Sequence, residues 1–261
     1  MTVDTRSKEG GDDPPIAQSM LAVEFSADPE RIRETLLPPP LEPVGDGDRA
    51  WAVVGEAILP SIRQDEDVPI EATEFIEAAV GAPCRYEGEQ YTVYPLLFLD
   101  RLSDGFKRGI SRGIADVAKT RWHATCPGRS EIAAGDSVAG TATHRGDKLF
   151  DATLHLERET DVDALPEGFF DFVHYRYLPD PLAEGETVGI AKDLAVMECP
   201  SFEVGSVWKG DATLSFGDWN RGVLDGLATE VLGGYHVTMA YEYAGDRVVA
   251  DIEPGWGDHV E

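Results

Sequence analysis

The chain has 261 residues, enough for a sizeable buried core, and 42% of them are hydrophobic, as in an ordinary folded protein. Asp and Glu number 49 against 22 Lys and Arg, a formal charge of −27, which makes nucleic acid and anionic membranes poor partners. No apolar run reaches the length of a membrane span, and the first residues carry no apolar signal segment, so the cytoplasm is the expected location.

The acids are scattered through the chain, and lysine occurs only at Lys8, Lys107, Lys119, Lys148, Lys192 and Lys209. That pattern fits the solvated surface of a halophilic protein better than a dedicated acidic face. Cys84, Cys126 and Cys199 are an odd number at wide spacing, so reduced thiols are expected rather than a disulfide framework. His123 and Cys126 alone do not make a zinc site, and no metal is expected.

Residues 1–15 are polar, with Gly-Gly, Asp-Asp and Pro-Pro steps, and read as a disordered acidic tail. Residues 16–261 read as one domain, since no linker divides them. Leu21 to Phe25 is a first strand. Asp28 and Pro29 then predict a helix start, because aspartate caps free amides and proline suits the first helical position. That helix, Glu30–Leu37, ends at Pro38-Pro39-Pro40.

Tyr91–Leu99 is strand-like, and Pro95 inside it predicts an edge or bent strand. Val138–His144 and Leu149–Glu157 flank a turn and predict a hairpin, with Phe150, Ala152, Leu154 and Leu156 on its buried face. His155 falls on the wet face, and His144, beside the turn, is expected at the surface. Gly217–Gly234 is less regular, with a short helix around Val223–Val231. Tyr235–Tyr243 and Val248–Ile252 predict a second hairpin, with Val237, Met239, Tyr241 and Tyr243 alternating. The fold class is mainly β: an antiparallel domain with a few helices.

Two sequence segments carry a resemblance. The first runs Phe75-Ile76-Glu77-Ala78, Pro83-Cys84-Arg85-Tyr86 and Tyr94 to Asp100; the second is Arg108 to Val117. Together they resemble the acetoacetate decarboxylase family. Leu37–Glu42, Arg145-Gly146, Leu165-Pro166, Tyr175–Asp180 and Trp208–Phe216 resemble further segments of it. The resemblance implies a β-barrel or cone-like domain, homo-oligomers, no cofactor, and a small-molecule keto acid or carboxylic acid as ligand.

It also implies a pair of lysines, the first forming an imine with a β-keto acid. A gapless count from Glu77 places Asp116 and Val117 at those positions. Aspartate forms no imine, and valine supplies no cation. Three catalytic candidates follow: Glu77, the family's retained glutamate; Asp116, a possible carboxylate partner to it; and Lys119, a displaced amine. Arg112 and Arg121 are candidates for binding a substrate carboxylate. Each has a plainer reading as a surface or ion-paired side chain. Three accounts stay open: imine chemistry on Lys119, acid–base chemistry on carboxylates, and a non-catalytic binding or scaffold protein on the same fold.

Overall fold

The computed structural model describes residues 15–37, 39–59, 73–100, 115–117, 119–125, 131–144, 146–180, 189–218 and 223–251. The first half contributes strands β1 (Ile16–Ser26), β2 (Glu42–Pro43), β3 (Arg49–Leu59), β4 (Thr73–Tyr86), β5 (Glu89–Leu99), β6 (Ala115–Val117) and β7 (Lys119–Thr125). The second half contributes β8 (Ser137–His144), β9 (Asp147–Thr160), β10 (Phe172–Asp180), β11 (Gly189–Glu198), β12 (Ser201–Phe216), β13 (Glu230–Glu242) and β14 (Gly245–Asp251). One helix, α1 (Pro29–Thr35), follows β1.

All fourteen strands join one sheet, in the order β14-β11-β10-β5-β4-β3-β1-β13-β12-β9-β8-β7, with β2 on β4 and β6 on β5. Its ladders are antiparallel except where β5 meets β10 and β6. The mainly antiparallel β fold is as the sequence predicts. Among the described residues the ladder ends at β14 and β7, so the sheet is open rather than closed into a barrel.

The central strands bury both faces, so they read as nearly continuous apolar runs. On β1, Leu21, Val23 and Phe25 enter one core, while Ile16, Met20 and Ala22 enter another. The first core is the inner one, enclosed where the sheet curls and β8 crosses over β3. A Cβ on Gly140 of β8 would lie 2.2 Å from Val54 Cγ1 of β3, so only glycine permits that approach. Ile32, Leu36 and Leu37 at α1 plug the same core. The second, outer core is covered by the segment after β9, whose Phe169 packs edge-on against Trp51 at 5.2 Å between ring centroids.

The helix forms as its sequence signals predict: Asp28 accepts hydrogen bonds from the amides of Glu30 and Arg31, and Pro29 takes the first turn. Pro95 bends its strand, although that strand lies inside the sheet. β10 pairs with Thr92 and Val93, and β6 with Leu97 to Leu99, so Tyr94 to Leu96 fall in the gap between the two partners. On the other side the β4 register slips between Val80 and Ala82. A Cβ on Gly81 would stand 2.0 Å from the Val93 carbonyl oxygen, so the bulge requires glycine there.

Three expectations fail. The final hairpin does not form: both sides of β13 are taken by β1 and β12, and β14 pairs instead with β11. The Val223–Val231 helix is absent as well. Leu224 and Leu227 are buried, but the chain there makes turns through Gly226 at φ 59°, and the Arg31 guanidinium binds the carbonyls of Val223, Asp225 and Gly226. The β8–β9 hairpin does form, with its apolar residues inward. His144 is buried with them at 6% exposure, beside the Phe98 ring, contrary to the surface position expected for it.

Candidate functional site

The inner core ends at a row of polar side chains carried by neighbouring strands. Ser19 on β1 pairs with Glu56 on β3 on one side and with Thr238 on β13 on the other. Thr238 pairs in turn with Ser206 on β12, and their hydroxyl oxygens are 2.9 Å apart. Strand alternation sets this row: Ser19 precedes inward-facing Leu21 by two residues, and Glu56 follows inward-facing Val54 by two. These four side chains are half-buried, where apolar core gives way to solvent.

Glu74 on β4 lies diagonally across from Glu56, whose direct partner is Ile76. The two carboxyl groups are close enough to interact. Burial first, and Glu74 second, push the Glu56 carboxyl above its ordinary pKa. Two carboxyl groups this close favour a proton on one of them, an arrangement suited to acid–base work. Beneath the row, His236 is 4% exposed, and its Nε2 lies 3.0 Å from Ser19 Oγ. Burial pulls its pKa down to about 4, so the imidazole is neutral at physiological pH.

Glu77 sits on the other side of the sheet, among outer-core residues. It pairs with Gly55 and Leu99, and its neighbour two residues back, Phe75, is buried in that core. The Gln18 amide on β1 donates to its carboxylate. The two meet across β3, whose residues at this level are the small Gly55 and Ala57. Burial, and then the Glu77 charge, raise the pKa of the Tyr94 hydroxyl, which the β5 bend sets close by.

For Asp116 the backbone register is clear. It is level with Phe98 on β5, and Phe98 with Ala78 on β4, whereas Val117 is level with Leu99 and hence with Glu77. Asp116 and Glu77 thus lie on either side of β5, offset by one residue. Lys119 and Arg121 lie on β7, level with Thr143 and Thr141 of β8. Arg112, Lys107 and Cys126 lie outside the described residues.

Among the described residues, no group of three or more His, Cys, Asp or Glu is placed to hold a metal ion. Cys84 is buried, and burial pushes its thiol up to about 12, which leaves it unreactive. His174 pairs with Asp246 at 3.4 Å.

Sequence reasoning missed Ser19, Glu74 and His236. Their signal was weak: each is an isolated position in sequence, and only the lateral register shows that they align.

A family model described as acetoacetate decarboxylase matches residues 1–252. Three solved structures share the fold. An acetoacetate decarboxylase-like enzyme from Sphingomonas wittichii RW1 superposes with a TM-score of 0.75 at 20% identity, over 97% of this chain and 99% of that one. The enduracididine biosynthesis enzyme MppR, complexed with the condensation product of pyruvate and imidazole 4-carboxaldehyde, gives 0.72 at 24% identity, over 96% and 94%. Acetoacetate decarboxylase from Legionella pneumophila gives 0.69 at 14% identity, over 95% and 94%. No curated protein matches the sequence. With a family model covering nearly its whole length and a fold shared with these enzymes, the chain belongs to the acetoacetate decarboxylase family.

Proposed function

We propose that the protein is an enzyme acting on a β-keto acid or a related small carboxylic acid by acid–base catalysis, without an imine. The observation that carries this reading is the Glu56–Glu74 pair, where burial and the neighbouring Glu74 raise the Glu56 pKa at the rim of an apolar interior. In a keto acid, the proton on the carbon beside the carbonyl is acidic. A carboxylate, Glu74 or Asp116, takes that proton. The electrons move onto the carbonyl oxygen, and the Glu56 carboxyl supplies a proton there. Reversal restores the substrate with a solvent hydrogen in place of its own.

The binding of pyruvate by MppR supports the ligand class. Arg112 or Arg121 is the proposed cation for the ligand's carboxylate. Lys119 is the amine that an imine route would use. The charge of −27 supports a salt-rich compartment, and the family resemblance supports a homo-oligomer.

One observation favours a second placement of the base. Glu77 is held by Gln18 beside Tyr94, a phenol kept protonated, and that set suits proton transfer on the outer face. The test is deuterium incorporation into acetoacetate and pyruvate in heavy water, followed by proton NMR. Loss of exchange in Glu56→Gln supports the inner site, and loss in Glu77→Gln supports the outer one. A wild-type protein that exchanges neither compound sinks the acid–base reading.

A further inference from the structure

Enolisation places negative charge on the ligand's carbonyl oxygen, and a second donor that keeps its own proton would hold that oxygen beside the Glu56 carboxyl. We infer that Ser19, oriented by His236, is the donor that grips the carbonyl oxygen of the bound ligand. The inference rests on the acid–base reading of the inner site.

Ser19 stands at the centre of the polar row, between Glu56 and Thr238. It is the half-exposed member of a pair whose other member, His236, is buried below it 3.0 Å away. The next hydroxyls along, Ser206 and Thr238, are engaged with each other. A serine hydroxyl has one proton and two acceptor sites. When His236 donates from Nε2 to Ser19 Oγ, the serine proton is left to point outward to a ligand. Each hydrogen bond in such a chain polarises the next.

Burial serves this arrangement by keeping the imidazole neutral, so the chain presents a hydrogen-bond donor without a competing cation. Ser19 is therefore a catalytic residue, and His236 is a positioning residue. The ligand class that fits is a compound with a carbonyl oxygen beside an acidic carbon–hydrogen bond. Removing one such donor in other enzymes lowers turnover by roughly 10²–10³-fold.

Three measurements on the full chain test the inference. Nitrogen-15 NMR of the histidines, assigned by the signal lost in His236→Gln, reports the tautomer; a proton on Nε2 is expected, and a proton on Nδ1 alone overturns the inference. Adding 2,4-pentanedione, a β-dicarbonyl that needs no turnover, should shift the His236 signals in the wild type and not in Ser19→Ala. Equal shifts, or none in either, overturn it. In the exchange assay, Ser19→Ala should lower kcat about 10²-fold with KM nearly unchanged. Ser19→Thr and His236→Gln, which keep donors in place, should recover most of that loss, and His236→Leu should not. A loss confined to KM, or none, overturns the role. A pentanedione response without any exchange would leave the grip standing and remove the acid–base reading instead.

Discussion

Replacing Gly140 by alanine tests the curl that encloses the inner site. The added methyl carbon would stand 2.2 Å from Val54 Cγ1 and 2.8 Å from Val54 Cγ2. Carbon atoms pack at about 3.5–4.0 Å, so β8 and β3 would have to part by over ~1 Å or distort. Overpacking of this kind costs about 1–3 kcal/mol, and in a chain of this size each kcal/mol lowers Tm by roughly 2–4 °C. Val54→Ala removes both offending atoms, at a cavity cost of its own. Alanine at both positions restores the space, so the double variant should be more stable than the sum of the single losses implies. The coupling should be at least about 1 kcal/mol in urea unfolding followed by fluorescence. If Gly140→Ala is harmless, or its cost is the same with Val54→Ala, β8 does not press on β3 and the enclosed interior is wrong.

The carboxyl pair and the surface charge give further predictions. Glu56 has a raised pKa in the folded state, so folding favours its protonated form. That contribution is complete below the ordinary glutamate value and is lost as pH rises through the folded pKa. Glu56→Gln should therefore raise Tm at pH 8 and leave it nearly unchanged at pH 4, read by scanning calorimetry; a lower Tm at pH 8 would contradict the raised pKa. The charge of −27 predicts that molar KCl raises Tm relative to dilute buffer, since salt screens self-repulsion. Equal stability in both buffers would count against a salt-adapted surface.

Local features were legible from sequence where one segment settles them. Asp28-Pro29 started its helix as capping chemistry requires, and the alternation of Phe150, Ala152, Leu154 and Leu156 gave the buried face of β9. Pro95 signalled a bend, but whether its strand lay at an edge depended on two distant partners, β6 and β10. The last hairpin failed for the same reason. Its turn was reasonable locally, but β1 and β12 already occupied both sides of β13.

The site followed this pattern. Glu77 and Asp116 stand out in a chain segment, whereas the inner polar row exists only sideways across the sheet. Glu56 and Ser19 are 37 positions apart in sequence and directly opposite in the ladder. His236, further still along the chain, reaches Ser19 from the next strand. No spacing rule along the chain would have joined them.

The central claim is that this family member works without an amine at its reacting centre. The most direct measurement is the mass of the intact protein after incubation with acetoacetate and borohydride in molar salt, with deuterium exchange followed in a parallel sample. The account predicts exchange with no covalent adduct on any lysine. A reduced adduct mapping to Lys119, or to another lysine, and lost when that residue is changed to arginine, would contradict it.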